Sequence, residues 1–360
     1  MTPADNIKDA APVDVSVVMP TFNRGHWLGE AIDSVLEQDL GDLSVEIVVA
    51  DNASTDNTQA VAQSAATRGE AAGVPVRYVL ERRKGDAQAR NRGVAASRGS
   101  WIAFFDDDQF ASQRWLLELL RCATRFDVPV VGGPVLLAIE DEERQRLGRI
   151  CREQLREIDL STDVREYVGK ELPGTGNALV SRDLFDQLGG FSEAFPSGGS
   201  DSDFFLRARA AGHRLLYNPK APIRHRVDRN RLTPKYLRWG ALVSGAEHIA
   251  RFDLENHGRT GLVLRCAARL GQAALVNGPR WAWARATGNS GEALGRMALL
   301  SRCEGYTRRT LRELMPRLLP QTEFFASLDM GEGRKIAPQA GEPPKSTKPV
   351  VERRAPAGVD

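Results

Sequence analysis

Five apolar residues run without a break into three carboxylates at Trp101-Ile102-Ala103-Phe104-Phe105-Asp106-Asp107-Asp108-Gln109. A short apolar run of this kind is the pattern of a strand buried on both faces, as in a parallel sheet covered by helices. Three adjacent carboxylates cannot follow it into the core, because burying unpaired charge is costly. The chain must leave the sheet at Asp106, and the triplet must sit in a polar crevice at the sheet's edge. In an extended backbone residues i and i+2 point the same way, so Asp106 and Asp108 are expected to converge while Asp107 faces elsewhere. Two converging carboxylates suit Mg2+ or Mn2+, which leave part of their shell to water and phosphate oxygens. A solvated acidic turn would carry the same three letters, so the rest of the chain has to decide.

Similar apolar runs recur at intervals, separated by helical patterns. Val13 to Met19 reads as a first strand, ended by Pro20. Trp27, Leu28, Ala31, Ile32, Val35 and Leu36 then recur at helical spacing, with Asn23 placed to start the turn. Val45 to Ala50 is a second strand, followed by a polar turn, Asp51 to Asp56, whose last residue can cap the next helix. Val76 to Leu80 and Trp101 to Phe105 are further strands, Trp115 to Leu120 a helix, and Val128 to Val131 a strand again. This alternation predicts an α/β fold with a mostly parallel sheet and right-handed crossovers. Ligands of such sheets gather outside the carboxyl ends of the strands, where Asp51 and Asp106 both lie.

The first strand-to-helix turn, Pro20-Thr21-Phe22-Asn23-Arg24-Gly25, lacks G-x-G-x-x-G, and no G-x-x-x-x-G-K-[ST] loop occurs anywhere. Dinucleotide-binding and P-loop readings are therefore set aside. A nucleotide could still be gripped by Asp51, accepting from a base or ribose, and by Arg90, facing phosphate. The alternative for Arg90 is a solvated helix residue among Arg82, Arg83, Lys84 and Arg92. A net charge of +2 over 360 residues argues against nucleic acid as a partner. Cys122, Cys151, Cys266 and Cys303 form no C-x-x-C pair, which fits a reducing cytoplasm and speaks against a zinc site. No secretory leader and no uncharged stretch of the ~20 residues needed to span a bilayer are seen, so a transmembrane chain is not expected.

Residues 140–171 are charge-dense, with apolar anchors at Leu147, Ile150, Leu155 and Ile158 that predict an amphipathic helix packed weakly on the main body, either as a mobile flap or as a plain solvated helix. Further on, Gly174-Thr175-Gly176-Asn177 leads into a short strand, Ala178 to Val180. Ser197-Gly198-Gly199-Ser200-Asp201-Ser202-Asp203-Phe204-Phe205 then opens a helix that ends at Gly212. Asp201 and Asp203 fall in its first turn, where the helix dipole favours an ionised carboxylate; simple N-capping would use the same residues.

Taken together, Val18-Met19-Pro20-Thr21-Phe22-Asn23-Arg24, Val48-Val49-Ala50-Asp51-Asn52, Ala89-Arg90-Asn91-Arg92-Gly93, Phe105-Asp106-Asp107-Asp108 and Gly198-Gly199-Ser200-Asp201-Ser202-Asp203-Phe204-Phe205 resemble, in order and spacing, the inverting family 2 glycosyltransferases of GT-A fold. The likeness is greatest to bacterial enzymes of succinoglycan and exopolysaccharide biosynthesis. It covers roughly residues 13 to 250 and implies a Rossmann-like, mostly parallel sheet flanked by helices, followed by a C-terminal helical extension. By this resemblance Pro20, Thr21, Asn23, Asp51, Arg90, Asp106 and Asp107 face the donor nucleotide. Asp106 and Asp108 would hold Mg2+ or Mn2+ with the diphosphate, His225 would add a metal ligand, and Asp201 would act as base. Such enzymes usually carry an acid just before the catalytic aspartate, and here Ser200 stands there, so Asp203 remains a second candidate. The implied donor is a nucleoside-diphosphate sugar, with a UDP-sugar first, and the implied acceptor a glycan or a lipid-linked glycan.

Two other classes fit parts of the pattern. A sugar-nucleotide pyrophosphorylase would want a Gly-rich, Arg-containing loop after the first strand, which is absent. A catalytically impaired sugar-nucleotide-binding or assembly protein is suggested by Ser200. The expected division is a flexible N-terminus at 1–12, the catalytic domain at 13–230, a basic helical region at 231–325 and a disordered tail at 326–360. Thr233-Pro234 begins the helical region, in which arginines outnumber acids and interleave with apolar residues and tryptophans. That composition suits a helix lying in the headgroup layer, on the inner face of a membrane; a basic subdomain packed on the sheet is the alternative.

Overall fold

A computed structural model of the chain describes residues 12–194 and 199–316. The expected disordered tail, nearly all of the expected flexible N-terminus, and Ser197-Gly198 lie outside the described residues. The described residues form two compact units, one of those up to Leu232 with Trp281–Arg296, the other of Thr233–Arg280 and those from Met297.

In the first unit strands and helices alternate as β1 (Val15–Thr21), α1 (Gly25–Leu36), β2 (Val45–Asp51), α2 (Thr58–Ala72), β3 (Val76–Leu80), α3 (Asp86–Ala96) and β4 (Trp101–Phe104). There follow β5 (Gln109–Ala111), α4 (Trp115–Phe126), β6 (Val130–Gly132), β7 (Val135–Leu137), α5 (Asp141–Gln154), β8 (Arg165–Glu166), β9 (Ala178–Ser181), α6 (Arg182–Gln187), α7 (Ser200–Ala210), β10 (Leu215–Tyr217) and β11 (Ile223–His225). Eight strands form one sheet in the order β3-β2-β1-β4-β9-β6-β10-β8, parallel except for β9 and β8. Its centre is buried on both faces: β2 has no exposed residue, which matches its Val-rich sequence. The chain winds outward from β1 to β3, then returns to add β4 on the other side of β1. The crevice where the order reverses is where such sheets bind ligands.

β1 continues two residues past the Met19 boundary read from the sequence, through Pro20. Pairing with β4 stops at Val18↔Phe104, and Val18 O accepts from Phe105 N. Pro20, two residues on, turns its missing N–H toward the side that β4 has left, so no ladder bond is lost. α5 also differs from its expected weak packing. Leu147 and Leu155 are fully buried, and Arg144 and Arg152 grip the buried Glu157 at 2.9 and 2.6 Å.

The second unit is helical. It includes α8 (Pro234–Val243), α9 (Ala250–Gln272), the first residues of α10 (Gly278–Ala286) and most of α11 (Ser290–Leu314), with π-helical turns at Ser244–Ile249 and Ala273–Asn277. Thr233 caps α8, its hydroxyl accepting from Tyr236 N at 3.2 Å. Glycines let the helices touch: a Cβ at Gly245 would stand 2.0 Å from Arg302 O, and one at Gly305 2.1 Å from Leu242 O.

Candidate active site

Three turns leave the sheet at the carboxyl ends of β1, β2 and β4, and Asn23 joins the first two. Its backbone is left-handed (φ 53°), a conformation Asn tolerates better than most residues. Its Oδ1 accepts from Thr55 N at 2.7 Å, and its N–H donates to Ser54 Oγ at 2.8 Å. Asn23 therefore does not start α1, contrary to the sequence expectation. Asp56 serves the helix starts instead, accepting from Gly25 N at 3.1 Å and from Thr58 N at 3.0 Å.

Asp51 ends β2, almost fully buried, with Thr21 at the end of β1 opposite it in register and Pro20 just before. Its Oδ2 accepts from Tyr78 Oη at 2.7 Å, and its Oδ1 from Ser54 N at 2.9 Å and from the Ser54 hydroxyl. Burial, then this carboxylate, push the Tyr78 hydroxyl up to about 12. A carboxylate offers about four acceptor positions, so Asp51 keeps capacity for a donor on a ligand.

The acidic triplet is not extended. Asp107 and Asp108 form a turn, and Gln109 Oε1 accepts from Asp106 N at 3.1 Å. The expected alternation is lost in this turn: Asp107 does not face away from Asp108. Both reach Arg24 Nη1, at 2.8 and 2.7 Å, while Asp106 faces Arg90 Nη2 at 3.4 Å. Burial pushes the Asp107 carboxyl up to about 6 against the pull of Arg24. Asp106 is also pushed up, by burial first, with Arg90 opposing and the Asp108 charge adding. Burial acts upward on Asp108 too, but His225 and Arg24 outweigh it and hold that carboxyl low.

His225 reaches the triplet through a small second sheet, β5-β11-β7. Pairing of β11 with β5 sets His225 opposite Gln109, and Arg226 N donates to Asp108 O at 2.8 Å. His225 Nε2 lies 3.6 Å from Asp108 Oδ2, and its buried Nδ1 has no hydrogen-bond partner. Crowded carboxylates and an orphaned imidazole nitrogen fit a hard divalent cation that takes few protein ligands. Among the described residues no three His, Cys, Asp or Glu side chains form a ready metal cage. Substrate phosphates would have to complete the shell.

The segment Gly174-Thr175-Gly176-Asn177 passes close to the triplet. A Cβ at Gly176 would stand 2.6 Å from Asp106 Oδ2 and 2.2 Å from Gln109 Nε2. Asn177 pins this passage, Nδ2 donating to Pro134 O at 2.8 Å and Ala221 O at 2.9 Å while Oδ1 accepts from Trp115 Nε1 at 2.7 Å. No sequence pattern singles out Gly176. Arg24 had a signal: three carboxylates at a buried strand end require a counter-charge, and Arg24 ends the first motif.

Asp201 and Asp203 occupy the first turn of α7, and their surroundings separate them. Asp203 Oδ2 pairs with Arg207 Nε at 2.8 Å, and Arg207 in turn donates to Leu188 O at 2.6 Å and Gly190 O at 2.8 Å. Asp201 Oδ1 accepts from Ser202 N at 2.8 Å in its own turn, and Asp201 forms no ion pair among the described residues. Asp203 is thus engaged in fastening a loop, while Asp201 is half-buried with acceptor capacity left.

Residues 16–189 match the family model described as Glycosyl transferase family 2. The chain is 26% identical over 205 residues to glycosyltransferase AglE of Haloferax volcanii, covering 56% of this chain and 64% of that protein. It is 31% identical over 174 residues to succinoglycan biosynthesis protein ExoM of Rhizobium meliloti, covering 47% of this chain and 54% of that protein. The chain thus spans less than two thirds of the length of either relative. Among solved structures, mannosyltransferase PcManGT from Pyrobaculum calidifontis, in complex with GDP-Man and Mn2+, superposes with a TM-score of 0.50 at 20% identity, over 82% of this chain and 89% of that one. At that identity the likeness is one of fold.

Proposed function

The domain at residues 16–189 belongs to glycosyl transferase family 2, and from that premise we propose that the protein moves a sugar from a nucleoside-diphosphate sugar to an acceptor hydroxyl, with inversion at the anomeric carbon. Its α/β unit has the GT-A arrangement. One observation carries the reading: Asp108 stands with His225 and Arg24, beside Asp106, in the crevice where the strand order reverses. A UDP-sugar is the first donor to test, and the acceptor is a glycan or a lipid-linked glycan of polysaccharide assembly, the setting named for the Rhizobium relative.

In this reading Pro20, Thr21, Asn23 and Asp51 line the nucleoside, and Asp107 and Arg90 the diphosphate. Mg2+ or Mn2+ held by Asp106 and Asp108, with His225 beside them, would offset the charge that grows on the departing diphosphate. The Mn2+ bound together with GDP-Man in the mannosyltransferase of like fold supports the choice of ion class. Asp201 takes the proton of the acceptor hydroxyl as its oxygen bonds to the anomeric carbon. The bond from that carbon to the diphosphate breaks, and the nucleoside diphosphate leaves with its electron pair. The reaction runs in the cytoplasm in this reading, on the inner face of the membrane for a lipid-linked acceptor.

Titration calorimetry with Mn2+ and UDP tests the donor half. Asp106→Ala and Asp108→Ala should each lose the metal-dependent part of UDP binding, and tight binding of Mn2+–UDP by both variants would overturn the metal site. Ser200 favours one second reading, a binding protein without turnover. Release of UDP from a UDP-sugar on adding acceptor separates the two.

A further inference from the structure

The second unit bears an apolar face that no described residue of that unit covers. On α9, Leu262 and Cys266 turn inward and pack with Tyr306 and Ala250. Val263, Leu264, Leu270, Leu275 and Val276 are exposed, Leu264 to 67% and Leu275 to 80%. Leu264, Ala268, Gly271 and Leu275 follow one side of the helix at i, i+4, i+7 and i+11. Single exposed leucines need no explanation, but a contiguous apolar row marks an interaction surface.

The charge around this row is one-sided. From Arg259 to Arg280 there are four arginines and no Asp or Glu. Arg265 and Arg269 lean back toward the buried Asp253, at 3.7 and 3.5 Å. Arg259 and Arg280 are exposed near the two ends of the row. No helix among the described residues is long and apolar enough to cross a membrane, so a bilayer bound by this face would be met at its surface.

We propose that the face between Arg259 and Arg280 docks on an anionic lipid surface, the aliphatic side chains entering the headgroup boundary and Arg259 and Arg280 at its ends meeting lipid phosphates. This binding is independent of the sugar-transfer reading. A second copy of the chain is the competing occupant, and charge decides against it. Two such faces would bring the exposed Arg259 and Arg280 of each copy together with no Asp or Glu in the segment between them.

Flotation of the full-length protein with phosphatidylcholine vesicles, with or without phosphatidylglycerol, tests the proposal. The protein should float with the phosphatidylglycerol vesicles at low salt and lose much of that binding at high salt. Leu264→Glu combined with Leu275→Glu should cut the vesicle-bound fraction by about tenfold or more without lowering the melting temperature, since both side chains are exposed. Arg259→Gln with Arg280→Gln should remove mainly the salt-sensitive part. A parent protein that stays at the bottom of the gradient would overturn the proposal. So would a Leu264→Glu/Leu275→Glu variant that floats like the parent, or a solution dimer that the same two substitutions dissociate.

Discussion

Asp108 Oδ2 has two neighbours, Arg24 Nη1 at 2.7 Å and His225 Nε2 at 3.6 Å. A divalent cation binding that oxygen must share it with a guanidinium or displace it. Without metal, Arg24 offsets two buried carboxylates, and its removal leaves them uncompensated. Arg24 is about a third exposed, so solvent screens part of the effect and the expected cost is about 1–3 kcal/mol. Arg24→Gln should therefore lower the melting temperature of the metal-free protein and lose less when Mn2+ is saturating. Melting curves with and without Mn2+ check this, and equal losses in both would show that Arg24 and the cation do not share a site. The two aspartates of α7 call for a different measurement. Asp201→Asn should keep donor binding and lower sugar transfer by roughly 10²-fold or more, the scale of a general base. Asp203→Asn breaks the Arg207 pair, so its first effect should be on the melting temperature. A variant pair behaving the other way round would move the base to Asp203.

An aromatic stack joins the elements that carry the two groups of carboxylates. Phe104, the last residue of β4, packs on Phe191 with ring centroids 5.1 Å apart, and Phe191 packs on Phe204 of α7 at 5.0 Å. Phe185 lies 5.5 Å from Phe204, and Phe204 and Phe205 are fully buried. The stack links the strand leading to Asp106 with the helix bearing Asp201. Phe204→Ala opens a cavity and should cost about 3–5 kcal/mol. It should also reduce transfer more than donor binding, because the residues proposed to hold the donor lie on the β1, β2 and β4 side. Equal loss of both, at a temperature where the variant is folded, would refute the coupling. Much of this half was legible in sequence because its elements are long and strongly patterned: β3 runs from Val76 to Leu80 as read, and Trp101 to Phe104 pair as a central strand. The sheet that delivers His225 was not legible. Its strands, Gln109–Ala111, Val135–Leu137 and Ile223–His225, are three residues each, too short to show a period, and their pairing is decided by tertiary contacts. His225 was reached only through resemblance. The turn at Asp107 was misread for a related reason: the i, i+2 rule holds within a strand, and β4 has ended by then.

Within the first unit, Glu46 and two carboxylates of the acidic triplet answer burial in opposite ways. At the amino end Glu46, fully buried in β2, accepts from Ser16 Oγ at 2.7 Å and Arg98 N at 2.6 Å, and pairs with Arg77 at 2.7 Å and Arg98 at 3.2 Å. Burial acts to raise its carboxyl, but these donors and charges outweigh it and hold the group below the ordinary range. At the carboxyl end Asp106 and Asp107 are pushed up, because burial there is not fully answered by the protein's own cations. The cations around Glu46 answer its burial in full, whereas in the triplet only Asp108 is held low and Asp106 and Asp107 keep unbalanced charge that a ligand cation would answer. The sequence does not reveal Glu46 as buried, since it sits among apolar residues that would read as a strand with one solvated position. A folded-state depression of Glu46 means that its stabilisation is complete above the unfolded glutamate value of about 4.3 and is lost as pH falls through the lower folded value. Glu46→Gln keeps the shape but loses the charge that Arg77 and Arg98 face, so it should cost about 1–3 kcal/mol at neutral pH. The gap to the parent should close in acid, below that folded value. Denaturant unfolding of both proteins across neutral and acid pH gives the comparison, and a gap that stays constant down to the acid limit would mean that Glu46 contributes through packing and not through its charge.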